Sequence, residues 1–130
     1  MKKLILLFVC AIALNSCKDK TTESVTLVSP EEMQSLLEIE DVQLVDVRTQ
    51  EEFNEGYIAE AQNIDYYSDT FEEDIKKLDT DRPVIVYCKS GGRSAKCAEK
   101  MIEAGFVKVY DLDGGISQWQ HKGFEVKAKS

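Results

Sequence analysis

The chain has 130 residues, 43% of them hydrophobic, and a formal net charge of −8. That length supports one domain with an ordinary core, and the acidic balance excludes nucleic-acid binding, which needs basic stripes. Glu31-Glu32, Glu51-Glu52 and Glu72-Glu73-Asp74 read as solvated helix faces and first-turn dipole partners. No Cys/His group has zinc spacing, so neither a metal nor a cofactor is expected.

Met1-Lys2-Lys3 is a short basic stretch, and residues 4–14 are apolar but too few to span a bilayer comfortably. Leu14-Asn15-Ser16-Cys17 then resembles a bacterial lipobox, in which the cysteine is acylated and becomes the new first residue. Leu14 and Ser16 fit that pattern, and Asn15 is less usual at its position. Residues 1–16 are therefore expected to be a lipoprotein signal peptide, Cys17 the lipidated residue and 18–24 a polar tether. The domain would be exported and membrane-anchored at the cell envelope, facing the periplasm or the outside. An ordinary secretory signal cut nearby is the alternative, and it too exports the domain.

The folded domain is expected over residues 25–127, with 128–130 a tail. Val25-Thr26-Leu27-Val28 reads as a strand. Ser29-Pro30-Glu31-Glu32 supplies an N-cap, a proline at the first helical position and a capping-box glutamate, opening a helix to about Ile39. Residues 42–47 form a buried strand. Thr49-Gln50-Glu51-Glu52 is a second capping box, starting a short helix closed by Gly56. A brief strand over 62–65 follows, then a helix over 71–78 with Phe71, Ile75 and Leu78 at helical spacing. Arg82-Pro83 breaks the pattern before the strand Val84-Ile85-Val86-Tyr87. Ala95, Ala98 and Met101-Ile102 make one apolar stripe on a helix over 94–104, ended by Gly105. Residues 107–110 read as the next strand and 116–120 as a short helix. Strands alternating with helices imply right-handed crossovers and a mostly parallel central sheet flanked by helices on both faces, an α/β fold. Ligands of such sheets bind beyond the carboxyl ends of the strands.

Cys88 sits at that edge. Cys88-Lys89-Ser90-Gly91-Gly92-Arg93 joins a buried strand to a helix N-terminus, so loop N–H groups and the helix end surround a single cysteine. Both favour the thiolate, and a thiol near pKa ~8.5 falls to roughly 3.5–7.5 in such settings. The alternative is a buried structural cysteine beside a turn, which needs neither two glycines nor an arginine. Cys97 reads as a small core residue, since nine residues of loop and helix part it from Cys88 and a disulfide needs Cα atoms within about 7 Å. His121, the one histidine, lies far along the chain in a polar stretch, so no Cys–His couple is evident.

Four residues separate Cys88 from Arg93, and the loop Cys-x-x-Gly-x-Arg resembles that of the rhodanese family of sulfurtransferases, with Cys88, Gly91 and Arg93 at the marked positions. Leu44-Val45-Asp46-Val47-Arg48, with Glu51-Glu52-Phe53 and Gly56-Tyr57-Ile58, is similar to the family's first block. Leu112-Asp113-Gly114-Gly115-Ile116 with Trp119 is similar to its closing block. Tyr57 departs from the histidine common there, a position usually taken as structural.

The resemblance implies a rhodanese-like fold and a Cys88 nucleophile that takes sulfur from a small donor, thiosulfate or a persulfide. The sulfur passes to a thiol, a protein thiol among the candidates, or to cyanide. Lys89, Ser90, Gly91, Gly92 and Arg93 would bind the substrate, and Asp46 and Arg48 would support the loop. Arg93 is read either as a contact for the anionic donor or as an inward partner of Asp46 or Glu52. A docking module without catalysis is the second reading. A phosphatase or arsenate reductase is the third, disfavoured because tyrosine-type phosphatases use a loop one residue longer.

Overall fold

The structure is a computed structural model that describes residues 25–128. The signal peptide, Cys17 and the tether expected over 1–24, and residues 129–130 of the tail, lie outside the described residues.

Five strands, β1 (Val25–Val28), β2 (Gln43–Asp46), β3 (Gln62–Asn63), β4 (Val84–Tyr87) and β5 (Val109–Leu112), form one sheet in the order β1-β5-β4-β2-β3. Every pairing is parallel. The helices are α1 (Pro30–Ile39), α2 (Gln50–Glu55), α3 (Phe71–Ile75), α4 (Gly92–Glu103) and α5 (Gly115–His121). Both expected capping boxes form. Ser29 accepts from the Glu32 N–H and Thr49 from the Glu52 N–H, while each glutamate reaches back to the cap N–H.

The sheet separates two cores because successive residues of a strand face opposite sides. Val84 and Val86 of β4 pack with Phe71, Ile75, Ala98 and Met101, beneath α3 and α4. Ile85 and Tyr87 pack with Met33, Ile116 and Trp119, beneath α1 and α5. Central strand β4 is thus buried on both faces, which is why it reads as an unbroken apolar run.

Several element boundaries differ from expectation. The last strand begins at Val109 rather than residue 107, because Val109 pairs with both Val25 and Val84 while Val107 is 57% exposed. Phe106 instead closes onto α4 through its N–H to the Met101 carbonyl. Helix α3 stops at Ile75, where the N–H groups of Lys77 and Leu78 bond three residues back, tightening the chain. β2 and β3 are each two residues shorter than the spans 42–47 and 62–65, and α4 begins two residues before 94.

Candidate active site

The alternation that divides the cores also aims the nucleophile. Cys88 continues the series Val84, Val86 onto the α4 side of the sheet, at the carboxyl end of β4. The chain then turns at Gly91, whose φ of +125° lies in the left-handed region that favours glycine. That turn brings the Gly91 N–H to 3.0 Å from the Cys88 Sγ. Helix α4 starts at the next residue and directs its N-terminus at the sulfur. Ser94, the third residue of the helix, is fully buried, and its Oγ lies 3.5 Å from Sγ. Burial pushes the Cys88 thiol up, but the Ser94 hydroxyl and the N–H groups of Ser94, Gly91 and Ser90 outweigh it, and the net shift is downward.

A dish of about 290 Å³ opens over this loop, lined by Tyr66, Tyr67, Cys88, Ser90, Gly92, Arg93 and Lys96. Lys89 is exposed and outside that wall, and its carbonyl accepts from the Ser117 N–H at 3.0 Å. The Cys88 carbonyl accepts from the Ile116 N–H at 2.9 Å, so α5 docks its first turn on the start of the loop. Only a glycine permits this approach: a Cβ on Gly115 would sit 2.5 Å from the Cys88 and Lys89 carbonyl oxygens.

Of the two readings of Arg93, the geometry realises the carboxylate pair. Its Nη1 and Nη2 donate to Glu52 Oε1 and Oε2 at 2.7 and 3.0 Å, and the guanidinium holds the Glu52 carboxyl at about 2. Arg93 Cζ also lies 5.8 Å from the Tyr67 ring centroid. Its flank still forms part of the dish. Asp46 and Arg48 are both buried and paired, Nε to Oδ1 at 2.9 Å and Nη2 to Oδ2 at 2.6 Å. Arg48 also donates to the Gly56 carbonyl, tying the end of β2 to the corner after α2. Their link to the loop runs through Tyr87, the residue before Cys88. Its ring lies under the Arg48 guanidinium, and its hydroxyl accepts from the Ile58 N–H at 3.0 Å.

Cys97 is buried, and its thiol is pushed up to about 12, first by burial and then by the Asp111 and Cys88 charges. Cys88 and Cys97 are both free thiols. His121 is exposed on α5. Ser94, Lys96, Tyr66 and Tyr67 are site residues that the sequence reading did not assign. Ser94 had a signal, since the third residue of a helix carries an unpaired N–H toward whatever faces its N-terminus. Tyr66 and Tyr67 had none, because they arrive from the turn after β3.

The chain is similar to several known proteins. It is 37% identical over 92 residues to "Thiosulfate sulfurtransferase GlpE" of Shewanella oneidensis, covering 71% of this chain and 89% of that protein. It is 34% identical over 95 residues to "Sulfurtransferase" of Allochromatium vinosum, covering 73% and 87%. Among solved structures, a rhodanese-like domain protein from Staphylococcus aureus superimposes with a TM-score of 0.67 at 33% identity, covering 81% and 99%. The polysulfide-sulfur transferase homodimer from Wolinella succinogenes gives 0.69 at 27%, covering 85% and 84%. The rhodanese-like domain profile matches residues 29–122, from the first capping box through α5. The chain belongs to the rhodanese-like domain family.

Proposed function

We propose that this protein is a sulfurtransferase that carries sulfane sulfur on Cys88. One observation supports the reading above the rest: the Cys88 sulfur ends a buried strand with the Gly91 N–H 3.0 Å away and the Ser94 hydroxyl beside it. A docking module has no need for such a cradle. The Cys88 thiolate attacks the outer sulfur of a donor such as thiosulfate. A new S–S bond forms, the donor's S–S bond breaks, and sulfite leaves with the electron pair. An acceptor thiolate, on a small molecule or a protein, then attacks the outer sulfur of the Cys88 persulfide and releases the Cys88 thiolate. Loop N–H groups fixed before reaction stabilise both anionic states without reorganising. Lys96 in the dish wall, with Lys89 nearby, offsets the net charge of −8 that would otherwise repel an anionic donor.

Thiosulfate treatment followed by intact-mass analysis should add one sulfur atom, mapped to Cys88 by digestion. Sulfur transfer to cyanide or a thiol should vanish in Cys88→Ser. Full turnover in that variant overturns the assignment.

We further propose that the domain is exported and anchored through acylated Cys17. Support comes from the lipobox-like Leu14-Asn15-Ser16-Cys17 and the polar 18–24 segment. Among the described residues no helix is long and apolar enough to cross a membrane. Several acyl chains hold a protein stably where one does not. Metabolic labelling with a fatty acid should mark the wild type and not Cys17→Ala. An unlabelled wild type that fractionates away from membranes overturns this second reading.

A further inference from the structure

β1 is the edge strand of the sheet, paired with β5, and Leu27 on it is 58% exposed. Side chains two apart on a strand share a face, so Val25 and Leu27 point to the same side. Leu27 is in register with Asp111 of β5, and Asp111 with Val86 of β4, which packs beneath α4. Asp111 and Leu27 therefore project toward the α4 side as well. On α4, Ala95, Glu99 and Ile102, at spacings of four and three, form one stripe with Glu103 beside it. Between that stripe and β1 opens a cavity of about 460 Å³, with Asp111 in its wall. It shares no residue with the dish over Cys88.

The lining is divided by chemistry. Its aliphatic side chains make apolar walls, and every charged group in it is a carboxylate: Asp111, Glu99 and Glu103. No lysine or arginine lines it. Among the described residues none of the three carboxylates has an ion-pair partner. Lys100, which lies between the two glutamates in sequence, reaches to Glu72 instead, at 3.2 Å.

Asp111 is the unusual member. Glu99 and Glu103 are exposed and solvated, whereas only 3% of Asp111 is exposed and its Oδ1 is buried without a hydrogen-bond partner. A carboxylate oxygen buried in that condition is costly, and a donor that enters the cavity removes the cost. Burial pushes the Asp111 carboxyl up to about 6, which still leaves it mostly ionised at neutral pH.

The missing partner must bring a positive charge and an apolar body. A bare metal ion lacks the second, and among the described residues no three Asp, Glu, His or Cys side chains are grouped so as to hold one. A cation on a hydrocarbon stem has both. Its stem packs against Val25, Leu27 and Ile102 while its ammonium donates to Asp111. The cavity is larger than one lysine side chain fills, and its volume falls within the ~300–1,000 Å³ of small-molecule sites.

We propose that this cavity binds a small aliphatic amine in its ammonium form, with Asp111 as the anchoring carboxylate and Glu99 and Glu103 as an anionic rim. The site is separate from Cys88, so it stands or falls independently of sulfur transfer.

Butylammonium is the probe, titrated into the full-length chain at about pH 7.5, where amine and carboxyl are both charged, and followed by backbone amide NMR. Saturable shifts should centre on Leu27, Ala95 and Asp111. The alcohol 1-butanol, similar in shape but uncharged, should bind about tenfold more weakly or worse; that comparison needs no variant. Asp111→Asn should weaken butylammonium about tenfold or more, since it removes a charge-assisted hydrogen bond from a buried setting. Glu99→Gln and Glu103→Gln, at the solvated rim, should each weaken it about twofold. Ala95→Leu keeps every charge but fills the cavity, and should abolish the shifts. Shifts absent from these residues or spread evenly over the acidic surface, equal binding of 1-butanol, or unaltered affinity in folded Asp111→Asn or Ala95→Leu each overturn the proposal. So does tighter binding of glycyl-lysyl-glycine than of butylammonium, which would make the occupant a lysine of another protein.

Discussion

Arg93 and Glu52 are joined by two parallel hydrogen bonds of 2.7 and 3.0 Å across 41 positions of sequence, linking the active loop to the second capping box. Glu52 thus has two tasks. It closes the N-terminus of α2 through Thr49, and it holds the arginine that ends the Cys88 loop. A fork-on-fork pair of this kind fixes orientation as well as charge.

Glu52→Gln should therefore leave α2 capped while loosening the loop. Its stability cost should be about 1 kcal/mol, because both partners are partly solvated. The pH dependence follows from the sign of the shift. Glu52 titrates at about 2 in the folded chain, against ~4.3 unfolded. Its contribution is fully present above pH ~4.3 and is lost as pH falls through about 2. Urea midpoints of wild type and variant should differ at pH 7 and converge near pH 2.

Three glycines should respond differently to alanine. Gly115→Ala drives a Cβ to within 2.5 Å of the Cys88 and Lys89 carbonyl oxygens at a φ of +61°, and should cost roughly 2–4 kcal/mol. Gly91→Ala meets nothing within 4 Å but sits at φ +125°, so strain alone should cost roughly 1–3 kcal/mol. Gly92→Ala has open space and an ordinary φ and should fall within about 0.5 kcal/mol of wild type. Thermal melts order the three, and Cys88 alkylation should fall most in Gly115→Ala.

Tyr87→Phe removes the acceptor for the buried Ile58 N–H. An unsatisfied buried donor costs about 1–3 kcal/mol, and here the loss falls on the residue preceding Cys88. Denaturant unfolding should show that loss with an unchanged m-value.

Cys97 should stay silent in the native protein. Its thiol, at about 12 and fully buried, should react with a disulfide reagent only after denaturation. Cys97→Ala should retain sulfur transfer while losing about 1 kcal/mol for the sulfur's packing. Loss of turnover in that variant with an unchanged melt would assign Cys97 a chemical role.

The elements legible in the sequence were those set by neighbours along the chain. Ser29 and Thr49 cap helices three residues ahead, and the apolar run before Cys88 reports burial on both faces of β4. The loop's layout was legible for the same reason, since Cys88, Gly91 and the start of α4 lie within a few positions of one another. What was not legible depends on distant partners. Residues 107–110 look as strand-like as 109–112 until Val25 and Val84 set the register at Val109. Glu52 and Asp46 were equal candidates for Arg93 until Arg48 occupied Asp46.

The pairing of β1 with β5 sets the order of events during synthesis. Val25 meets Val109, and the Cys88 carbonyl meets the Ile116 N–H. A ribosome that has already made the cysteine has yet to make both the strand that completes the sheet and the helix that docks on the loop. Until that last segment emerges, the loop lacks the Ile116 and Ser117 N–H groups that hold the Cys88 and Lys89 carbonyls. A nascent or truncated chain ending before Gly115 would therefore carry Cys88 without the α5 contacts that brace its loop.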